Sequence, residues 1–385
     1  MKYISRTVWI LSLVSLFTDT ASEMLYPVMP VYLKSIGFSV VLIGILEGVA
    51  EATAGLSKGY FGKRSDLSGK RVPFVQAGYA LSAISKPMLA FFVYPLWIFF
   101  SRTIDRLGKG VRTGARDAIL SEEATPQTKG KVFGFHRSMD TVGAALGPSF
   151  ALLYLYYHPG NYKALFLIAF LPGLLAVSTT FLLKKKKPVL GKEKISVPFF
   201  SFLKYWKVSP PEYRKLVTGL LIFTLFNSSD VFLLLKVKQS GLSDTMVIGA
   251  YIFYNLVYSV FALPTGILAD KIGLQKIFIG GLTLFAIFYF GMAFNNHLYL
   301  FLVLFFLYGL YASATEGISK AWISNISNKK EVATAIGTYA GLQSICTMLA
   351  SSLTGVLWYS FGASTAFVIT AVVTLFVIGY FLLMK

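Results

Sequence analysis

The chain has 385 residues, of which 55% are hydrophobic and 14% charged, and it carries a formal net charge of +19. That composition is too apolar for a soluble globule. A basic excess of this size would point to nucleic acid in a soluble chain, but its placement here excludes that partner. Most of the Lys and Arg fall at the N-terminus, in alternate loops and at the C-terminal residue. The opposite loops hold only Lys34, Lys163, Lys236 and Lys238. This asymmetry predicts both termini in the cytoplasm of an inner-membrane protein, with the basic loops against anionic lipid. The single Cys346 excludes an internal disulfide. The first apolar run contains Asp19 and Glu23 and lacks a small-residue cleavage site, so it reads as a membrane span and not a cleavable signal.

Runs of about 20 apolar residues, each able to cross a core of roughly 30 Å, predict twelve spans in an all-α integral membrane fold. Six fall in an N-terminal bundle, residues 1–183, at 7–33, 40–62, 72–94, 95–118, 132–156 and 163–183. A linker, 184–215, begins with four lysines and contains aromatic residues alternating with Lys204 and Lys207. That mix predicts a short helix in the cytoplasmic interface, facing lipid. Six more spans make a C-terminal bundle, 216–385, at 216–236, 245–268, 276–294, 298–322, 332–358 and 364–384.

Ionisable residues inside spans are costly and so mark candidate functional positions. The first span carries Asp19 and Glu23, and the second Glu47 and Glu51, each pair one helical turn apart. Counting down an antiparallel hairpin centred near Ser35 sets Asp19 opposite Glu51 and Glu23 opposite Glu47. Facing carboxylates would share a proton or hold a cation, so these four are also the residues that would bind a metal if one is carried. Lys86, followed by Pro87 in the third span, would neutralise a carboxylate or contact an anionic substrate group. The fourth span and its exit carry Arg102, Asp105, Arg106, Lys109, Arg112, Arg116 and Asp117. Arg102 and Asp105 are the deeper cavity candidates. Lys109 to Asp117 are expected to form a charge network with Asp66. The fifth span opens with His136, Arg137 and Asp140, then Gly143, Gly147 and Pro148, small residues and a bend that permit close helix contact. His136 is expected to partner an acid in the loop before it.

Two loops then relate the halves. Gly62-Lys63-Arg64-Ser65-Asp66-Leu67-Ser68-Gly69-Lys70-Arg71 lies between the second and third spans. Gly266, Asp270 and Gly273 repeat Gly62, Asp66 and Gly69 at a constant offset of 204, as Gly241 repeats Gly37. One such copy is weak; two in register signal homologous halves. The glycines are expected to supply turn freedom, and Asp66 to cap a helix end or pair with an arginine.

These loops resemble the loop 2–3 signature of the major facilitator superfamily, and the resemblance covers nearly the whole chain. It implies two pseudo-symmetric six-helix bundles and alternating access. Arg106 with Gly110 loosely resembles the superfamily's fourth-helix arginine signature. The fuller run Asp105-Arg106-x-Gly108-Lys109-Gly110-x-Arg112-x-x-x-Arg116-Asp117 is similar to a prokaryotic branch of mostly unknown substrate. Gly143, Gly147 and Pro148 resemble the fifth-helix antiporter motif, with Ala151 in place of its later glycine. Because the first and seventh and the fourth and tenth spans line the cavity in this superfamily, the resemblance implicates Asn227 and Asp230, which interrupt the seventh span, and Glu316 and Lys320 in the tenth. A local Glu316–Lys320 ion pair is the plainer alternative. Tyr251, Tyr254, Tyr258, Tyr308, Tyr311 and Tyr339 are candidate pocket aromatics or ordinary packing residues.

The function expected is secondary active transport, not enzymatic catalysis: the three histidines are scattered, and no phosphate-binding loop is present. Proton-coupled antiport of a small cationic or amphipathic solute leads. Proton-coupled uptake and metal-ion or metal-chelate transport are alternatives, and a membrane-embedded sensor or enzyme is the different class. The expected partners are a small-molecule or ion substrate, protons and the lipid bilayer; no cofactor is expected, and the chain is expected to be a monomer.

Overall fold

A computed structural model describes residues 4–184 and 198–384; the rest of the predicted linker helix region, 185–197, lies outside the described residues, as does the side chain of Glu47. Among the described residues the chain is built from helices, with no strand. The first half comprises α1 (Arg6–Glu23), α2 (Met29–Ser35), α3 (Val40–Ser68), α4 (Val72–Phe91), α5 (Pro95–Glu122), α6 (Lys129–Tyr157) and α7 (Tyr162–Thr180). A 3₁₀ turn, Phe199–Lys204, runs into α8 (Tyr205–Val208). The second half comprises α9 (Pro211–Thr224), α10 (Val231–Gln239), α11 (Asp244–Ile272), α12 (Leu274–Phe294), α13 (Leu298–Ile326) and α14 (Val332–Leu383). Gly362, at φ 83°, interrupts α14 and so separates the last two of twelve spans. Five helical stretches are long and apolar enough to cross a membrane by themselves, and four of these lie in the second half.

The offset of 204 recurs in local structure. Ser39 caps α3 by accepting from Leu42 N, and Ser243 caps α11 by accepting from Met246 N; both pairs are 204 apart. Each hydroxyl satisfies an amide that the first helical turn leaves without a partner. Gly37 and Gly241, and Gly69 and Gly273, all have positive φ, a conformation that a side chain disfavours. The seventh span is broken between α9 and α10, as the Asn227–Asp230 interruption predicts. The first span, expected to be continuous, is broken as well: residues 24–28 leave the helix between α1 and α2. Pro27 and Pro30, which lack amide hydrogens, were the signal for that break. Glu23 and Asn227, at the two breaks, are again 204 apart.

The chain forms two compact units. Unit 1 contains residues 1–123, 139–209 and 327–344; unit 2 contains 124–138, 210–326 and 345–385. Each unit therefore includes a short segment from the other sequence half, namely the beginning of α14 in unit 1 and the beginning of α6 in unit 2.

Candidate functional site

In unit 1, Gly62 and its neighbours act by close approach and not by turning the chain. Gly62 lies inside α3, which runs on to Ser68, so only Gly69 of the pair takes the left-handed turn conformation. A Cβ on Gly62 would collide with the Ala333 carbonyl, and one on Gly114 would come within 2.9 Å of Gly62 Cα. The beginning of α14 thus lies directly on α3 and α5. Asp66 Oδ2 accepts from Thr334 N at 2.6 Å and from Thr334 Oγ1 at 2.7 Å, capping the first turn of α14, where the amide ends and helix dipole favour an anion. Arg71 joins Asp66 (3.1 Å) to Glu122 (2.7 Å). Asp66, expected to join a network with Lys109 to Asp117, takes Arg71 as a basic partner. Lys70, expected beside Arg71 in this network, is exposed.

Unit 2 repeats this cap. Asp270 accepts from Gly130 N (2.8 Å) and Lys131 N (2.7 Å) in the first turn of α6, and a Cβ on Gly266 would collide with the Gly130 carbonyl. Thr334 and Gly130, the two capped amides, are themselves 204 apart. The linker aromatics add a further contact in unit 1. Phe202 is 1% exposed, its ring lies against Gly59, and its carbonyl accepts from Thr338 Oγ1 at 3.3 Å. Lys63 Nζ donates to the Ser201 carbonyl at 2.9 Å. The expectation of a lipid-facing tether is therefore corrected for Phe202 and Tyr205, which are buried, while Phe199, Phe200 and Leu203 are exposed. The missing side chain on Gly59 makes the room for the Phe202 ring.

The Asp66 cap has a pH consequence. Asp66 lies four residues beyond the apolar run that ends at Gly62, and burial pushes its carboxyl up to about 6, against the pull of Arg71 and Thr334. An aqueous aspartate titrates near 3.9. The capped arrangement therefore binds the proton more tightly than one in which Asp66 meets water, and acid favours it. This contribution is fully present below about pH 4 and is lost as pH rises through about 6. Melting of the wild type should fall relative to Asp66→Asn as pH is raised from about 4 to 6.5, then run parallel to it above. Parallel curves across the whole range would overturn the assignment.

The intramembrane charges of unit 1 are mostly paired. Lys86 on α4 is 3% exposed and its Nζ meets Asp105 Oδ1 on α5 at 2.7 Å. The two helices meet closely there because Gly78 and Gly108 carry no side chain: a Cβ on Gly78 would lie 2.7 Å from the Gly108 carbonyl. Arg112 Nη1 donates to Ser82 Oγ at 2.6 Å and its guanidinium lies 4.5 Å from the Tyr79 ring centre. Arg116 pairs with its neighbour Asp117 at 2.9 Å. Arg102, like Asp105, is buried in α5, and Lys109 is exposed. Glu51 Oε2 lies 3.9 Å from Arg106 Nη1.

Asp19 is placed differently from its expectation. Its carboxyl faces that of Asp140 on α6, with Glu23 and Lys109 within electrostatic reach. Ser15 Oγ, one turn before Asp19, also donates to Asp140 Oδ1. The antiporter-like glycines create this meeting. A Cβ on Gly143 would collide with the Leu16 carbonyl, and one on Gly147 would lie 2.7 Å from both Met24 N and the Thr20 carbonyl. Pro148 follows within α6. Glu51, expected opposite Asp19, is instead directed to Arg106. An ionised carboxylate has no hydrogen to donate, so two facing carboxyls could hydrogen-bond to each other only with a proton on one of them. The sequence pointed to each of these acids but not to their pairing.

Unit 2 holds the second group. The break between α9 and α10 presents Asp230, whose Oδ2 accepts from Tyr254 OH at 2.5 Å and whose Oδ1 accepts from Tyr308 OH at 2.6 Å. Asn227 Nδ2 donates to Tyr311 OH at 3.0 Å. The rings of Tyr308 and Tyr311 are 5.3 Å apart, and those of Tyr254 and Tyr308 are 5.2 Å apart. Glu316 pairs with Arg137, whose Nε also donates to Tyr258 OH at 2.8 Å; the predicted local pair with Lys320 is thus not the whole account of Glu316. His136 is buried in the same opening turns of α6. Tyr339 belongs to unit 1. Among the described residues no group of three or more His, Cys, Asp or Glu could hold a metal ion.

Helical spans that carry buried ion pairs between long apolar helices are those of a membrane-embedded protein. The chain belongs to the Major Facilitator Superfamily, whose sequence profile matches residues 11–254 and 237–385. It is 32% identical over 363 residues to an uncharacterized MFS-type transporter of Methanocaldococcus jannaschii, covering 93% of this chain and 89% of that one. A multi-drug resistance efflux pump PmrA homolog of Lactococcus lactis is 22% identical over 353 residues, covering 88% and 84%. The crystal structure of the human organic anion transporter MFSD10 superposes with a TM-score of 0.79 at 16% identity, over 98% of this chain and 99% of that one. The E. coli fucose:proton symporter FucP gives 0.76 at 12% identity, over 98% of each chain. These two structures establish the twelve-helix fold.

Proposed function

We propose that the protein is a proton-coupled antiporter that exports a small cationic or amphipathic solute by alternating access. The observation that carries this reading is the meeting of the Asp19 and Asp140 carboxyls between α1 and α6, an arrangement suited to sharing one exchangeable proton. A proton shared there would move between two carboxyls, whereas Asp105 is already held by the buried ammonium of Lys86. The resemblance of the chain to an efflux pump supports export. The fold alone does not choose a substrate, since its structural relatives are named for an organic anion and for fucose with protons. The basic loops support an inner-membrane orientation with cytoplasmic termini.

The test is flux in sealed proteoliposomes loaded with a labelled organic cation such as tetraphenylphosphonium. A pH gradient, acid on the side to which the cation is exported, should drive its exit, with protons counted in the opposite direction. Cation movement that is indifferent to the gradient would overturn antiport. Movement with the proton flux would assign uptake symport.

A further inference from the structure

Asp105, Asp117, Glu51 and Glu316 each have an arginine or lysine partner. Asp230 differs. It sits where the seventh span is unwound, and its recorded partners are two neutral hydroxyls, Tyr254 OH and Tyr308 OH. Among the described residues no Lys, Arg or His lies within ion-pairing distance of it. The tyrosines that solvate it are themselves buried, and their rings are clustered: Tyr254 meets Tyr251 edge-on at 5.4 Å and Tyr308 at 5.2 Å. This acid thus sits in an aromatic setting, held by neutral hydroxyls and by no basic side chain among the described residues.

The repeat sharpens the contrast. The position equivalent to Asp230 in the first span, 204 residues earlier, is Tyr26. The break there is enclosed by apolar residues, including Met24, Leu25, Val28 and Met29. Two breaks of one ancestry thus have different surroundings: at the second, an acid is held by two tyrosine hydroxyls.

We propose that Asp230 and its tyrosines form the binding site for a monovalent organic cation. The carboxylate supplies the counter-charge, and Tyr254 and Tyr308 supply ring faces that attract a quaternary or protonated amine. The two hydroxyls hold Asp230 while the site is empty and are released as the cation takes their place, so binding exchanges one set of carboxylate contacts for another. This assignment deepens the antiport reading and rests on it for the direction of transport, but the binding step does not require a proton gradient.

The experiment is equilibrium dialysis of the purified full-length protein against benzyltrimethylammonium, with benzoate as the anionic comparator and no pH gradient. Wild type should bind the ammonium in preference to benzoate, and Asp230→Asn should weaken the ammonium by at least about tenfold. Tyr254→Phe keeps the ring and removes one competing donor, so it should bind the ammonium as well as wild type or a few-fold tighter. If Asp230→Asn does not fold, the Tyr254→Phe and Tyr308→Phe double variant decides: retained or tightened binding supports the site and loss overturns it. Equal ammonium binding by wild type and Asp230→Asn would overturn it, as would a preference for benzoate or no ammonium binding by wild type. The two readings fail separately. Ammonium binding that depends on Asp230, with flux indifferent to the pH gradient, leaves the site and removes antiport. Proton-driven flux of an ammonium that ignores Asp230 does the reverse.

Discussion

Lys86→Met is expected to destabilise the protein by about 3–5 kcal/mol. Lys86 and Asp105 are both buried, and the substitution leaves Asp105 without its 2.7 Å partner between α4 and α5. Methionine fills nearly the same volume and keeps the apolar stem, so the loss reports the charge and not a cavity. Arg102 and Arg106 act on Asp105 from a greater distance and set the effect toward the lower end of the range. The decisive comparison is the double variant Lys86→Met/Asp105→Leu. Replacing both members by apolar groups should restore most of the lost stability, because an ion pair taken from water returns little net energy over a well-packed apolar pair. Melting in detergent of the single and double variants measures this. Equal losses in both would mean that Asp105 has a role in packing beyond its pairing with Lys86. A neutral single variant would refute a buried pair.

Asp19→Asn and Asp140→Asn are each expected to reduce pH-driven flux by about 100-fold or more, on the scale by which removal of a proton-transferring group affects reactions that depend on it. An amide in either place can hydrogen-bond to the remaining carboxylate but cannot take up and release the proton. Exchange of labelled for unlabelled solute across the membrane moves no net proton, so it should survive in both variants, whereas a misfolded protein would lose exchange as well. Glu51→Gln provides the contrast. Glu51 is 44% exposed in its side chain and lies 3.9 Å from Arg106, so its loss should leave a measurable pH-driven flux. If Glu51→Gln abolishes that flux while Asp140→Asn does not, the coupling site lies on α3, as the hairpin count alone suggests. The pair between α1 and α6 would then be structural.

The Asp66 and Asp270 caps show a feature shared by both units. In each, an acid from one sequence half holds the first amides of a helix from the other half. Its glycine one turn earlier removes the side chain that would keep the two backbones apart. Thr334 and Gly130 are as constant in their offset as the acids that hold them. A duplicated motif and its duplicated target therefore meet in the same way twice. This explains why both members of the motif, the acid and the glycine, occur in both halves despite the different sequences around them.

Fold class was legible in the chain because its signals are local. Apolar run length, the alternation of basic loops and the repeat of Gly62, Asp66 and Gly69 depend on distance along the sequence, and a bilayer converts that distance directly into spans. The break in the seventh span was legible from Asn227 to Asp230 for the same reason, and Pro27 and Pro30 carried an equal signal for the first. The pairing of charges was not legible. Counting residues down a hairpin assumes two continuous helices, and the departure from helix at residues 24–28 removes that register. Which acid meets which base then depends on the rotation of each helix and on the close approaches that glycine permits. Gly143 and Gly147 bring α6 onto the Asp19 face of α1, while Gly78 and Gly108 bring Asp105 to Lys86. By itself the sequence determined that this is a duplicated helical membrane protein with charged spans. Only the tertiary structure decided that Asp19 faces Asp140 and that Asp230 is held by tyrosine hydroxyls, because those partners lie far apart in the chain and meet only through packing.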